Sequence, residues 1–262
     1  MPSENAATSV PIDRRTRKRE ARRHHLLDLA AELVEQGGVE AVTMAALAEA
    51  ADYAPASLYT YFGSRSALLA ALQERALVTL GRVADDQLAA WDAALALADV
   101  PSPAVAALAR LWAFSELLLT APEHHPREFR LQQQLLVTPG SEDSADAAAV
   151  VPTAMGVLDV PRRLLAAAVE SGALHAAAPA VDPLGHEVDG AVARTFAWVV
   201  ALNGALLADG LTTGLPVTGA MLGAALTDAL LRGWGAPPAA LDAARTLAAT
   251  WPGPAVSEGS RS

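Results

Sequence analysis

The sequence predicts an all-α fold, and three observations carry that expectation. Alanine is abundant while aromatic residues make up 5% of the chain, a balance that favours helices over sheets. Apolar residues recur three and four positions apart in one segment after another, the period of an amphipathic helix. No stretch alternates apolar and polar residues over strand length, and Gly and Pro clusters punctuate the helical segments.

Residues 1–13 are polar and Pro-containing and read as a disordered leader. A first helix is expected over about 16–36, where Leu26, Leu29, Ala30, Leu33 and Val34 form one apolar stripe and Gly37-Gly38 ends it. Thr43 is placed to cap a second helix, about 44–51, with Ala46, Leu47 and Ala50 inward. Asp52-Tyr53 makes a turn into a third helix, about 54–61, and Ser64 is placed to cap a fourth that starts at Arg65. From 65 to 98 the chain reads as one long helix, with Gly81 as a possible break. Pro101 and Pro103 precede a helix at about 104–120, and Pro122 and Pro126 bracket a connector to another at about 127–137. The stretch 138–153 reads as an exposed loop. Helices at about 154–172, 186–209 and 217–233 follow, and Pro237-Pro238 starts a last one that ends before Trp251. The tail from Pro252 reads as disordered.

With 262 residues, 52% of them hydrophobic, the chain can bury a sizeable core. The absence of cysteine excludes disulfides, thiolate nucleophiles and Cys-ligated metals. No signal peptide is evident and Arg, Asp, Asn or Gly interrupts every long apolar run, so a soluble cytoplasmic protein is expected. The net charge is −10, but Arg14 to Arg23 hold seven basic residues against one acid, Glu20. Local charge, more than the sum, decides affinity for nucleic acid.

Residues 43–69 carry the strongest functional signal. Two short helices joined by a tight turn, with Ala46, Ala48, Ala50, Ala51, Ala54 and Ala56 at their crossing, suit a helix-turn-helix. Beside it lies the basic run, including Arg14, Arg15, Arg17 and Lys18. The segment from about 24 to 70 resembles the tetracycline-repressor (TetR) family of one-component regulators. The carrying residues are the apolar first helix, Gly38-Val39 with Thr43, then Leu47-Ala48-Glu49-Ala50-Ala51. Ser57-Leu58-Tyr59 with Tyr61-Phe62 is the most distinctive part, followed by Arg65, Ala67, Leu68 and Leu69. The resemblance implies an N-terminal three-helix DNA-binding domain over 14–64 and a helical ligand-binding and dimerisation domain over 65–251. It implies phosphate contacts from Thr43, Tyr59 and Arg65, and base edges facing Ala54, Pro55, Ala56, Ser57 and Thr60. Tyr61 is divided between DNA contact and scaffold packing, while Leu58 and Phe62 belong to the core.

Two departures from the family pattern stand out, at Asp52 and at Pro55 with Thr60. Asp52 stands where the turn usually has glycine, and Asp tolerates the left-handed conformation better than most residues. Pro55 and Thr60 replace the larger polar side chains usual on the reading face, so bidentate Arg–guanine or Asn–adenine readout is not available. Small contacts with the Ser57 and Thr60 hydroxyls are expected instead, with more of the affinity coming from the arginine arm.

Beyond the motif, the helix at 186–209 is apolar on nearly every face from Thr195 to Leu207. With the helix at 217–233 it is expected to form a four-helix bundle with a second copy, Gly204 permitting close approach. The Trp198…Asn203-Gly204 spacing is similar to a Trp-His-Gly signature in one subgroup of the family, with Asn203 in place of His. An inducer cavity is expected among Trp91, Trp112, Phe114, Met155 and Trp198, with Glu116, Gln132, His175 and Asn203 as polar candidates for a small hydrophobic ligand. No metal-binding His spacing, phosphate loop or nucleophile elbow is present, so no enzyme, cofactor or metal is expected. The sum of these expectations is a dimeric, ligand-responsive repressor on a pseudo-palindromic operator. The alternative is a helical small-molecule binder without sequence-specific DNA activity.

Overall fold

The computed structural model describes residues 14–98, 102–137, 144–181, 185–208 and 216–253. The leader at 1–13 and most of the expected tail lie outside the described residues. Ten α-helices are formed among those described: α1 (Arg14–Gly37), α2 (Met44–Ala50), α3 (Pro55–Leu58), α4 (Arg65–Leu97), α5 (Pro103–His124), α6 (Pro126–Val137), α7 (Ser144–Glu170), α8 (Gly190–Leu207), α9 (Gly219–Gly233) and α10 (Pro238–Ala248). A 3-10 turn, Val39–Ala41, precedes α2. The strands β1 (Ala180–Val181) and β2 (Glu187–Val188) pair antiparallel, a two-residue ribbon too short for any sequence pattern to announce.

Side-chain caps start five of the ten described helices. Thr43 Oγ1 accepts from the Ala46 amide and Ser64 Oγ from the Ala67 amide, as the sequence predicts. Ser102, Asp189 and Thr218 serve α5, α8 and α9 in the same way.

Four expectations about the elements are corrected. The stretch 138–153 is not a loop throughout, because α7 already begins at Ser144. Pro152 inside it removes one backbone hydrogen bond, but the Ala-rich turn before it favours helix, and Val150 is buried beside Leu77 and Ala70 of α4. Gly81 does not break α4, and Pro122 lies inside α5 rather than beyond its end. Finally, α5 and α8 are long and apolar enough to cross a membrane by length and composition, despite their interruptions. The fold separates the two: the apolar window of α5 is 61% buried inside the protein, that of α8 only 33%.

Two apolar cores are stitched together by α4 and α6. The N-terminal core gathers Leu26, Leu27, Leu47, Leu58 and Phe62 with the first turns of α4, and Leu131 of α6 inserts into it. The larger core is built around α5, with Trp198 and Leu202 of α8 and Leu241 of α10.

Candidate DNA interface and ligand cavity

The turn between α2 and α3 closes through the Tyr53 amide, which donates to the Ala48 carbonyl at 2.9 Å. Asp52 takes φ 54°, the only positive value outside glycine among the described residues. Pro55 sits in the first turn of α3, where its missing amide costs nothing. The helix itself is shorter than the expected 54–61; it ends at Leu58, and single-turn bonds from Thr60, Tyr61 and Phe62 carry the chain on. Leu58 and Phe62 are buried and fix its angle, while Ala54, Pro55, Ala56, Ser57, Tyr59 and Thr60 are exposed.

Several of the polar residues have partners within the protein. The Thr60 hydroxyl donates to the Ser57 carbonyl at 2.7 Å, so its donor is taken by the helix end and only its lone pairs face outward. Arg65 donates through Nε to the Val42 carbonyl at 2.7 Å and through Nη2 to the Val39 carbonyl at 3.1 Å, with Glu40 at 3.4 Å. It therefore braces the 3-10 turn that leads into α2. Thr43, exposed at the start of α2, accepts a capping bond and retains its own O–H as a donor.

The basic run is helical from Arg14 onward and leans on the end of α3. Arg15, Lys18, Arg19 and Arg22, spaced along one face of α1, line a cleft of about 660 Å³ together with Thr60 and Tyr61. Arg19 Nη2 donates to the Thr60 carbonyl at 2.9 Å. Arg22 is held above its ordinary pKa by a hydrogen bond with Tyr61, then by the charges of Tyr53 and Tyr61. The Arg23 guanidinium stacks over the Phe62 ring at 5.2 Å. Arg14 and Arg17 are exposed on the same helix. The sequence reading missed Arg19, Arg22 and Arg23; the available signal was their spacing on the helix face that meets α3.

A second feature lies in the body. A cavity of about 290 Å³ is walled by α4 through Leu77, α5 through Phe114 and Leu118, and by α7 and α8 through apolar side chains. Among the described residues, Gln132 of α6 is the only polar one lining it, and no charged residue does.

The profile of the family described as "Bacterial regulatory proteins, tetR family" matches residues 26–72, the end of α1 through the start of α4. Solved structures share the fold over most of the chain. RolR in complex with its ligand resorcinol is 23% identical, with a TM-score of 0.55 over 92% of this chain and 99% of that one. SmeT, the repressor of the Stenotrophomonas maltophilia multidrug efflux pump SmeDEF, is 17% identical, with a TM-score of 0.51 over 81% of this chain and 89% of that one. FadR from Bacillus subtilis in complex with stearoyl-CoA is 13% identical, with a TM-score of 0.51 over 80% and 98%.

Over residues 26–72 the chain carries the N-terminal domain of the tetR family.

No curated protein matches the sequence significantly.

Below this tetR-type N-terminal domain, α6 joins the two features. Arg127 pairs with Glu35 at 2.6 Å and Arg130 donates to the Val34 carbonyl at 3.0 Å, both at the end of α1. On the same helix Leu131 enters the N-terminal core, Gln132 lines the cavity, and Gln133 bonds Asn203 of α8 at 3.1 Å.

Of the residues predicted around the ligand, Gln132 and Phe114 line this cavity. Met155 lines a neighbouring pocket of about 200 Å³. The others lie elsewhere. Trp91 stacks on Trp251 at 5.9 Å, and Trp112 donates to Glu116 while Arg245 covers its ring at 4.4 Å. Trp198 backs the wall, 5.3 Å from Phe114, and Asn203 is buried beside Gln133. Exposed His175 packs at Gly235 and lends its carbonyl to Arg194. A sequence read for aromatic and polar residues misses most of this wall, because it is made of ordinary valines, leucines and alanine on α7 and α8.

Proposed function

We propose that this chain is a tetR-family regulator, a cytoplasmic repressor that binds a pseudo-palindromic operator as a homodimer and is released by a small, uncharged, apolar inducer. In this reading residues 14–64 form the DNA-binding unit and 65–251 the ligand and dimer unit. The observation that carries it is the connection through α6. One helix touches the DNA-binding core, the cavity and the buried polar pair on α8. Filling the cavity then shifts α6 and α4 against α1 and alters the separation of two recognition helices.

The DNA side of the proposal rests on Arg14, Arg15, Arg17 and Lys18 as backbone contacts, aided by Thr43 and Tyr59. Ala54, Pro55, Ala56 and Ser57, with the lone pairs of Thr60, meet base edges. Tyr61 and Arg65 act mainly by holding the interface together.

Support for the dimer comes from α8 and α9, where Leu207, Met221 and Leu226 are large apolar side chains left exposed. A side chain added at Gly204, on the same outer face, would meet nothing within 4 Å, which leaves room for another helix. The ligand class follows from the cavity wall. Without a lysine or arginine there, the phosphates of an acyl-CoA such as the stearoyl-CoA bound to FadR lack a partner, whereas a neutral molecule in the size range of the resorcinol bound to RolR suits the space.

Selection of bound fragments from random duplex DNA at low salt tests the proposal. A palindromic site is the expected outcome, and failure to enrich one overturns it. Sedimentation of the Met221→Asp variant tests the dimer, which should fall to monomer mass while the wild type does not.

A further inference from the structure

Resting on the reading of the cavity as the inducer site, we propose that the inducer is a hydrogen-bond donor, a small neutral phenol or alcohol whose hydroxyl is received by the Val157 carbonyl. The argument begins with Pro161, which lies inside α7 and lines the cavity together with Val157 and Leu158. Proline has no amide hydrogen, so the helical bond from residue 161 to the Val157 carbonyl cannot form, and the ring pushes that carbonyl outward. Val157 and Pro161 stand four residues apart on one helix face, and that face is the cavity wall. The displaced acceptor is therefore offered on the cavity side.

Pro152 provides the contrast within the same helix. It and Ala148, whose carbonyl it deprives, are both exposed, so water satisfies the acceptor there. Pro161 is buried and Val157 half-buried in the cavity wall, and a carbonyl there without its amide calls for another donor. Gln132 supplies the one polar side chain among the described residues of the wall and can serve the same hydroxyl as acceptor or donor. With no cation on that wall, an anionic head group is excluded by the cost of burying it unpaired. The cavity of about 290 Å³ holds roughly ten water volumes of about 30 Å³, hence a molecule on the order of ten non-hydrogen atoms.

Calorimetric titration of the full chain with 4-propylphenol, 4-propylanisole and 4-propylbenzoate tests this. The phenol is expected to bind about tenfold tighter than the ether, which keeps the oxygen but loses the donor, and the benzoate not to bind measurably. Pro161→Ala restores an amide for the Val157 carbonyl and should bring the phenol-to-ether ratio towards unity, and Gln132→Leu should lower it in part. Equal binding of phenol and ether to the wild type, or an unchanged ratio in Pro161→Ala, overturns the donor assignment while leaving an apolar inducer site intact. If neither phenol nor ether binds, the inducer-site reading falls as well.

Discussion

Gln133 of α6 donates its side-chain amide to the side-chain oxygen of Asn203 on α8 at 3.1 Å, and Asn203 in turn donates to the Val199 carbonyl at 2.8 Å. Asn203 is 1% exposed, so this is a buried polar joint between the helix that reaches the DNA-binding core and the helix that walls the cavity. Asn203→Leu leaves the Gln133 amide without its acceptor and is expected to cost about 1–3 kcal/mol. The double variant Gln133→Leu/Asn203→Leu should recover much of that loss, since both polar groups are gone. Urea unfolding of the two single variants and the double provides the coupling energy; strict additivity would mean the joint is energetically inert.

Arginines on α1 divide into two kinds. Among the described residues Arg15 and Lys18 have no assigned partner and face the cleft, whereas Arg19 is tied to the Thr60 carbonyl. Neutralising Arg15 and Lys18 together should weaken DNA binding about equally for all sequences and lower the log–log salt slope by roughly 0.9 for each phosphate left without its cation. Arg19→Ala should instead blur sequence preference, because it releases the end of the reading element. Binding isotherms at several salt concentrations, on selected and scrambled duplexes, separate the two behaviours.

Arg65 links the first turn of α4 to the backbone at Val39 and Val42. Lysine cannot reproduce that planar fork, so Arg65→Lys should lose stability, by about 1–3 kcal/mol, before it loses any DNA-specific interaction. Thermal melting without DNA is the measurement. A variant with wild-type melting and weakened operator binding would show that Arg65 works at the phosphate instead.

Asp52 holds the turn of the motif at φ 54°. Asp52→Gly should be neutral or mildly stabilising, whereas Asp52→Val should destabilise by roughly 1–2 kcal/mol because a β-branched side chain resists the left-handed region. Chemical denaturation of both variants distinguishes backbone strain from loss of the carboxylate.

On α9, Asp228 is flanked by Arg232 at 2.6 Å and Arg245 at 2.7 Å. Its pKa is lowered, first by the hydrogen bond from Arg232, against an opposing effect of burial, and then by the two guanidinium charges. A lowered folded-state pKa means that the unfolded chain takes up the proton first. The stabilisation is therefore complete above the ordinary carboxylate pKa of about 3.9 and is lost as acid carries the pH down through the folded value. Asp228→Asn should be less stable than wild type at neutral pH, and the difference should shrink on acidification below about pH 4. A difference that stays constant across that range would remove the pair from the stability account.

The sequence by itself determined the elements whose cause is local. Thr43 and Ser64 cap α2 and α4 because a hydroxyl three residues ahead of an amide is sufficient, whatever surrounds it. Asp52 and Pro55 mark the turn for the same reason: backbone geometry restricts which residues fit there. The helical periods, the charged first helix and the family of the N-terminal segment were legible on those grounds. Tertiary structure alone decided which residues face one another. Pro152 and Pro122 read as breaks in the sequence, yet packing against α4 and within the central core outweighs one missing hydrogen bond. Arg65, a phosphate ligand by its position in the motif, is turned inward by two carbonyls that the chain brings back from more than twenty residues away. The cavity was the least legible feature, because its wall is assembled from five helices and each contributes side chains that would serve equally well in solid core. Whether such residues meet or leave a space between them depends on how the helices cross, and no local period encodes that.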